Sequence, residues 1–453
     1  MHMVTGNIIR RTEALCPVCK RRLPAAYVTG EQSVNLWRNC PEHGVFSIPV
    51  WRNCFDFKKW VKNAPVLLEG ENPACPNGCG LCADHKQDTC CVLLPVTSRC
   101  NLACRYCFAD PDGTPDKPFD EVKESLKRLS VPGQTLVQLS GGEPTLRDDL
   151  PGIVAAAKGA GCSYVQLNTN GIRLAEDKSL VEKLALAGLS FVFLQFDGAD
   201  DAVYETLRGR PLCAIKEQAI ANCAEHRIGV TLVPTLVPGV NNHHVGDIIR
   251  YAVQHSPDVR GVHFQPVSYF GRSPVSPEGN LGLRPRRGVP QSAPRYTLDE
   301  LLRDIVDQSA GLVKTDDFSP SRCDHPLCGL HGDFIVLPDG SVKALNQYRT
   351  ESSSCCEPAS CCGPDAAAKN REFVGRYWQR SPAALEGDES CCCAGPVDLT
   401  DMGQFAARVK SHGFTITAMA FQDAATLDIA RLRQCSLHVF EEGRHVPFCA
   451  YYL

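Results

Sequence analysis

The sequence predicts an α/β protein with a parallel sheet at its centre and cysteine-rich segments around it. Three observations carry this. From about residue 92 to 270, apolar strand-like runs alternate with amphipathic helical stretches, the pattern of βα units. The runs VLLPV, LVQLSGGEP, YVQLNTNG, FVFLQFDG, GVTLVPTLVPG and GVHFQPVS mostly close on turn-forming residues. The 26 cysteines of the 453-residue chain gather at short spacings, largely outside these runs. Six strands suit an incomplete barrel as well as a doubly wound sheet, and periodicity alone does not choose.

The length allows one large domain with appendages or two to three ordinary ones. Hydrophobic content of 43% and charged content of 22% are those of a chain with a real core. A net charge of −4 argues against a nucleic-acid surface spread over the whole molecule. The start, MHMVTGNIIRRTEALC, does not read as a signal peptide. The most apolar stretch, Ala185 to Phe196, is too short to span a bilayer and carries the alternation of a buried strand. The expectation is a cytoplasmic protein with no transmembrane segment and no nucleic-acid partner. In that compartment clustered cysteines read as metal and iron–sulfur ligands, not as disulfides. Isolated Cys162, Cys213 and Cys223 read as small buried hydrophobes.

Taken in order, residues 1–62 hold Cys16-x2-Cys19 and Cys40-x2-His43, two knuckles separated by strand-like AAYVTG and SVNLW. Four such ligands suffice for a closed tetrahedral zinc or iron site, of zinc-ribbon or rubredoxin kind, with a structural role. Residues 70–91 form a second cysteine segment. Cys75, Cys79 and Cys82 are followed by Cys90, for which Cys91 could substitute. A fully ligated auxiliary cluster is expected there. Residues 92–290 are the alternating core, with helices expected at DEVKESLKRLS, LPGIVAAAKGA and LVEKLALAG. Residues 291–453 form a cysteine-rich auxiliary region, opened by a helix at TLDELLRDIVDQSA.

The first core strand runs into Cys100-x3-Cys104-x2-Cys107 and the aromatic Phe108. Three thiolates can hold three irons of a [4Fe–4S] cluster and leave the fourth open to a small molecule, the logic that separates catalytic from structural zinc sites. Gly141-Gly142-Glu143-Pro144 ends the second strand, Asn168-Thr169-Asn170-Gly171 the third, and Phe196-Asp197-Gly198 the fourth. Functional groups at the carboxyl ends of successive parallel strands are what a βα barrel offers.

This series resembles the radical S-adenosylmethionine (SAM) superfamily. The resemblance implies a partial (β/α)6, TIM-like barrel, with Cys100, Cys104 and Cys107 as catalytic ligands. It further implies SAM contacts from Phe108, Gly141, Gly142, Glu143, Asn168, Asn170 and Asp197, with Glu143 on the SAM amino group. A reduced cluster would cleave SAM and generate a carbon radical that forms a carbon–carbon bond or alkylates the substrate, drawing its electron from a ferredoxin or flavodoxin.

The knuckles, the second cysteine segment and a closing stretch, Phe421-Gln422-Asp423-Ala424 through Val446-Pro447-Phe448-Cys449, narrow the resemblance further. They are most similar to the group of archaeal tetraether-lipid synthases and dihydropterin methylases, which implies a small-molecule or lipid substrate. Cys323 and Cys328, with Cys435 and Cys449, stand where such proteins carry auxiliary-cluster cysteines.

Cys355, Cys356, Cys361, Cys362, Cys391, Cys392 and Cys393 depart from that pattern. Adjacent cysteines on a strand point to opposite faces, so a loop of thiolates for a soft ion or metalloid such as arsenic is one reading and a passive insert the other. A peptide maturase and a thiol-rich metal-binding protein are the remaining alternatives.

Overall fold

The computed structural model describes residues 6–62, 64, 75–76, 81–274, 292–321, 323–348, 365–380 and 401–453. Cys79 and the seven cysteines of the 355–393 insert lie outside the described residues.

Four strands, β1 (Ile8–Leu15), β2 (Arg22–Thr29), β3 (Val34–Cys40) and β4 (Gly44–Trp51), form an antiparallel meander. The core follows as β5 (Cys91–Thr97), β6 (Leu136–Gly141), β7 (Tyr164–Thr169), β8 (Phe191–Gln195), β9 (Gly229–Val233), the short β10 (Thr235–Leu236) and β11 (Val259–Pro266). β5 to β9 and β11 pair in parallel in sequence order, with helices in every connection. This is the expected (β/α)6 arrangement. All six strand runs read from the sequence are strands, but Ala185 to Phe196 is not one unit. Lys178–Leu186 is a helix, and the strand begins only at Phe191, after a turn at Gly188 with φ +94°.

The helices form where the apolar spacing foretold. Phe119–Leu129 buries Val122, Leu126 and Leu129 on one face, at i, i+4 and i+7. Leu298–Gln308 opens with Thr297 and Glu300 bonding each other's backbone N–H, a reciprocal cap that satisfies donors the helix itself leaves open.

The C-terminal region contributes β12 (Ser319–Pro320), β13 (Gly329–Val336), β14 (Val342–Ala344), β15 (Gly413–Met419), β16 (Leu437–Glu441) and β17 (Arg444–Pro447). It continues the core sheet on both sides. β15 pairs in parallel with β11 and carries antiparallel β13, while β16 pairs in parallel with β5. The two margins then meet. The Asp324 carboxylate, ahead of β13, accepts from Ser436 N (2.8 Å) and Oγ (2.9 Å), just ahead of β16. The Arg431 guanidinium donates to Leu327 O at 2.9 Å. The curved sheet is thus closed by loop contacts in place of a strand ladder.

The N-terminal meander docks on the closing stretch. Thr12 Oγ1 (2.7 Å) and the Tyr27 hydroxyl both donate to the buried Asp428 carboxylate. Buried Arg38 donates to Leu15 O (2.7 Å) and Ala425 O (2.6 Å), and burial lowers its pKa to about 10. The co-occurrence of these two terminal regions in the sequence therefore has a packing reason. Among the described residues, no helix is long and apolar enough to cross a membrane.

Candidate active site and metal centres

The loop after β5 carries Cys100, Cys104 and Cys107, all partly exposed. Its path is set by backbone bonds. Arg105 N donates to Leu207 O (2.9 Å), and Cys107 exchanges both of its backbone bonds with Arg272 (3.1 and 3.0 Å). The glycines of GGEP clamp the same loop. Gly142 N donates to Thr97 O and Glu143 N to Arg99 O, each at 2.8 Å. A Cβ on Gly141 (φ +131°) would overlap Thr97 O, and one on Gly142 would overlap Arg99 O. Only glycine permits that approach.

Burial lifts the Cys100 thiol to about 11 and the Cys107 thiol above its ordinary value. A bound cation must therefore drive their deprotonation. The three sulfurs do not converge within 4.8 Å as a single-ion set would. Thiolates on three separate irons have no need to.

The three thiols, Phe108, Gly141, Gly142, Glu143, Asn168 and Asn170 line one cavity of about 290 Å³ that continues into the barrel. Phe108 is seated on Phe448 and Tyr452, with ring centroids 5.4 and 5.0 Å away. The Glu143 carboxylate is buried and already engaged. Oε1 accepts from Thr145 N (3.1 Å), Thr145 Oγ1 (2.7 Å) and Thr169 Oγ1 (2.6 Å), and Oε2 from Asn170 N (2.7 Å). Oε2 retains acceptor capacity. Asn170 also reaches Asn101 Oδ1 (2.7 Å), which ties the end of β7 to the cysteine loop.

Asp197 differs from expectation. It is fully buried outside the cavity lining, gripped by Arg208 through Nε (2.7 Å) and Nη2 (2.8 Å) and by Thr235 N (3.0 Å). Arg208 is the member of that pair on the cavity wall. Burial opposes its charge, but Asp197 outweighs it and raises the guanidinium pKa above its ordinary value. Lys216 is buried behind it, on Asn170 O (2.5 Å) and Gln195 Oε1 (2.9 Å), and burial lowers its pKa to about 7.

Sequence reading missed Arg208, Gln195 and the interior wall. A signal was available, because Gln138, Gln195, His263 and Gln265 are polar side chains set within core strand runs, and all four line the cavity.

At the tip of the meander, Cys16, Cys19, Cys40 and His43 bring four ligand atoms within 4.8 Å of one another. His43 Nδ1 is 3.7 Å from Cys16 Sγ and 3.4 Å from Cys40 Sγ, and the Cys19 and Cys40 sulfurs are 3.9 Å apart. Despite its burial, hydrogen bonds from His43 and the adjacent backbone lower the Cys40 pKa to about 6.

The remaining described thiols gather around the sheet margins. Cys75, Cys82 and Cys449 share one buried cluster with Leu427 and Leu432, while Cys90 packs with Cys323. Cys90 also hydrogen-bonds both Cys323 and Cys91, and Asn370 Nδ2 donates to its sulfur at 3.4 Å. Cys435 lies within electrostatic reach of Cys328 and Cys449. Cys90 and Cys323 meet because the margins of the sheet bring β5 and the β13 approach together. Cys162 and Cys223 are buried in the core as expected, whereas Cys213 is partly exposed at a helix start.

The radical SAM superfamily model matches residues 94–252, and that of the HMPTM N-terminal zinc ribbon domain matches residues 8–52. The 7,8-dihydro-6-hydroxymethylpterin dimethyltransferase of Methanocaldococcus jannaschii is 30% identical, over 98% of this chain and 93% of that protein. The chain belongs to the radical SAM superfamily. A GTP 3',8-cyclase of Limosilactobacillus fermentum is 30% identical over 39% of this chain and 54% of that protein. The crystal structure of Streptococcus suis SuiB bound to precursor peptide SuiA covers 50% of this chain and 48% of its own, with TM-score 0.38 and 16% identity. As a radical SAM enzyme, this protein cleaves SAM and alkylates its substrate. The group implies SAM and a [4Fe–4S] cluster, and its ribbon is of the zinc type.

Proposed function

We propose that Cys100, Cys104 and Cys107 hold the SAM-cleaving [4Fe–4S] cluster, and that the substrate is a small ring compound of the reduced-pterin kind. The observation that carries this is the single cavity shared by the three thiols, the strand-end groups and the barrel interior. When bound, cluster and SAM supply one-electron cleavage of the sulfonium and a carbon radical.

The chain's own residues orient and enclose. Gly141 and Gly142 hold the cysteine loop by backbone bonds, Glu143 Oε2 can accept from an ammonium, and Arg208, steadied by Asp197, presents a cation to a carboxylate. Apolar Phe108, Leu102 and Phe448 exclude water from the same space. A methylase reading is supported by the relative whose alignment covers nearly the whole chain. The polar lining from Gln138, Gln195, Gln265 and Asn370 favours a ring with hydrogen-bonding groups over an alkyl chain, against which such groups would lose their partners.

The remaining thiols, Cys75, Cys79 and Cys82 on one side and Cys90 with Cys323 on the other, would serve auxiliary clusters. A ferredoxin or flavodoxin would supply the electron.

The test is anaerobic turnover of 7,8-dihydro-6-hydroxymethylpterin with SAM and a reductant. Substrate-dependent methylated product, lost in the Cys100→Ala/Cys104→Ala/Cys107→Ala variant, is expected. SAM cleavage without pterin alkylation would defeat the substrate assignment, and cleavage by the triple variant would defeat the ligand assignment.

A further inference from the structure

Three adjacent strands place a polar row across the barrel interior. His263 of β11 is the register partner of Thr417 of β15, and Thr417 is the partner of His331 of β13. Directly paired residues share one face of a sheet, and all three line the cavity. His331 is backed by Asp333, two residues along on the same face, whose carboxylate lies against its Nε2. None of these residues belongs to the cysteine sites.

The hydrogen bonds fix what the row offers. His263 Nδ1 lies 2.8 Å from Thr417 Oγ1, and Thr417 directs its own proton toward Val262 O at 3.4 Å. Nδ1 is thus engaged within the row, and Nε2 is the ring nitrogen that remains for a ligand. Burial lowers the His263 pKa to about 4, so the imidazole stays neutral.

An aromatic wall adjoins the row. Phe193 lies 5.5 Å from the His263 ring and 4.7 Å from Trp378, whose Nε1 is engaged by Thr415 Oγ1 at 3.0 Å. A flat apolar face beside a line of acceptor and donor groups is complementary to a planar heterocycle, its face on the wall and its edge on the row.

We infer that His263, Thr417 and His331, with Phe193 and Trp378, form the substrate's recognition subsite, and that it takes a planar ring with hydrogen-bonding groups along its edge. This rests on the reading of a ring-bearing substrate, and it names the residues that select it.

The test is binding to the cluster-loaded protein of 6-hydroxymethylpterin, of guanine and of a long-chain alcohol, with SAM binding and cluster absorbance measured alongside. His263→Phe keeps the ring against Phe193 and removes its hydrogen-bonding nitrogens. Thr417→Val keeps the volume and removes the hydroxyl that orients His263. Pterin affinity at least tenfold weaker in His263→Phe and severalfold weaker in Thr417→Val, with SAM binding within twofold, is the expected result. Row-dependent binding of guanine but not pterin would overturn the pterin assignment and keep the subsite. Equal ring binding in parent and variants, no ring binding at all, or preferential binding of the alcohol would overturn the subsite.

Discussion

The meander tip and the barrel both concentrate cysteine, but they do so in opposite ways. At the tip, four ligand atoms from two short turns already converge within 4.8 Å. Around the barrel, the thiols come from segments up to hundreds of residues apart, such as Cys90 beside Cys323. A set held by one antiparallel ladder, where Cys40 pairs with Gly44 and the Cys16 turn closes on Arg21 O at 2.8 Å, is ready for its ion as soon as the local hairpins form. A set assembled across a closed sheet exists only once the whole barrel does. The first should therefore govern stability locally, and the second should report on the integrity of the barrel and its chemistry.

The sharpest test separates chemistry from folding. Replacing Cys100, Cys104 and Cys107 by Ala should lower SAM cleavage by at least about a thousandfold, since the ligands of the reacting group are gone. The ribbon's zinc content should be unchanged and the melting temperature should fall only slightly. A comparable loss of zinc would show that the two regions are not independent.

Cys16→Ser with Cys40→Ser should do the reverse. Metal content should fall by one zinc per chain, and stability by several kcal/mol, because metal-binding free energy is folding free energy in closed sites. What SAM cleavage remains should scale with the folded fraction, measured by circular dichroism. Full stability with no turnover would instead make the ribbon part of the reaction.

Acidification probes the barrel interior. The His263 pKa is about 4 in the fold against 6.5 as its ordinary value, and burial also depresses those of His85, His325 and His438. Between those limits the unfolded chain binds more protons, so stability rises with pH there, is fully present above about 6.5 and declines toward 4. His263 alone should account for about 3 kcal/mol across that window. Urea midpoints from pH 7 to 5 should fall for the parent and fall less for His263→Phe. A flat profile would mean that these histidines are not enclosed.

The smallest effect tests whether Cys90 shares a ligand set with Cys323 or with Cys82. Cys90→Ala and Cys323→Ala should lower bound iron and cluster absorbance alike, and the double variant should be no worse than either single one. Combining Cys90→Ala with Cys82→Ala should be additive. The opposite pattern would restore the Cys75/Cys79/Cys82/Cys90 grouping.

The sequence by itself determined the six core strands, the helices between them, the cysteine triplet with its GGEP clamp, and the two knuckles at the meander tip. Each rests on short-range physics: strand and helix periodicity, glycines at close backbone approaches, and ligands two or three residues apart. Tertiary structure alone decided that β15 and β13 extend the sheet past β11 while β16 extends it past β5. It also decided that Asp197 spends its charge on Arg208, and that Cys90 sits against Cys323. The row of His263, Thr417 and His331 was likewise invisible, because its members come from three separate stretches of sequence, each with other polar residues. Register between strands hundreds of residues apart is set by how the sheet curves and closes, and no local pattern encodes that closure.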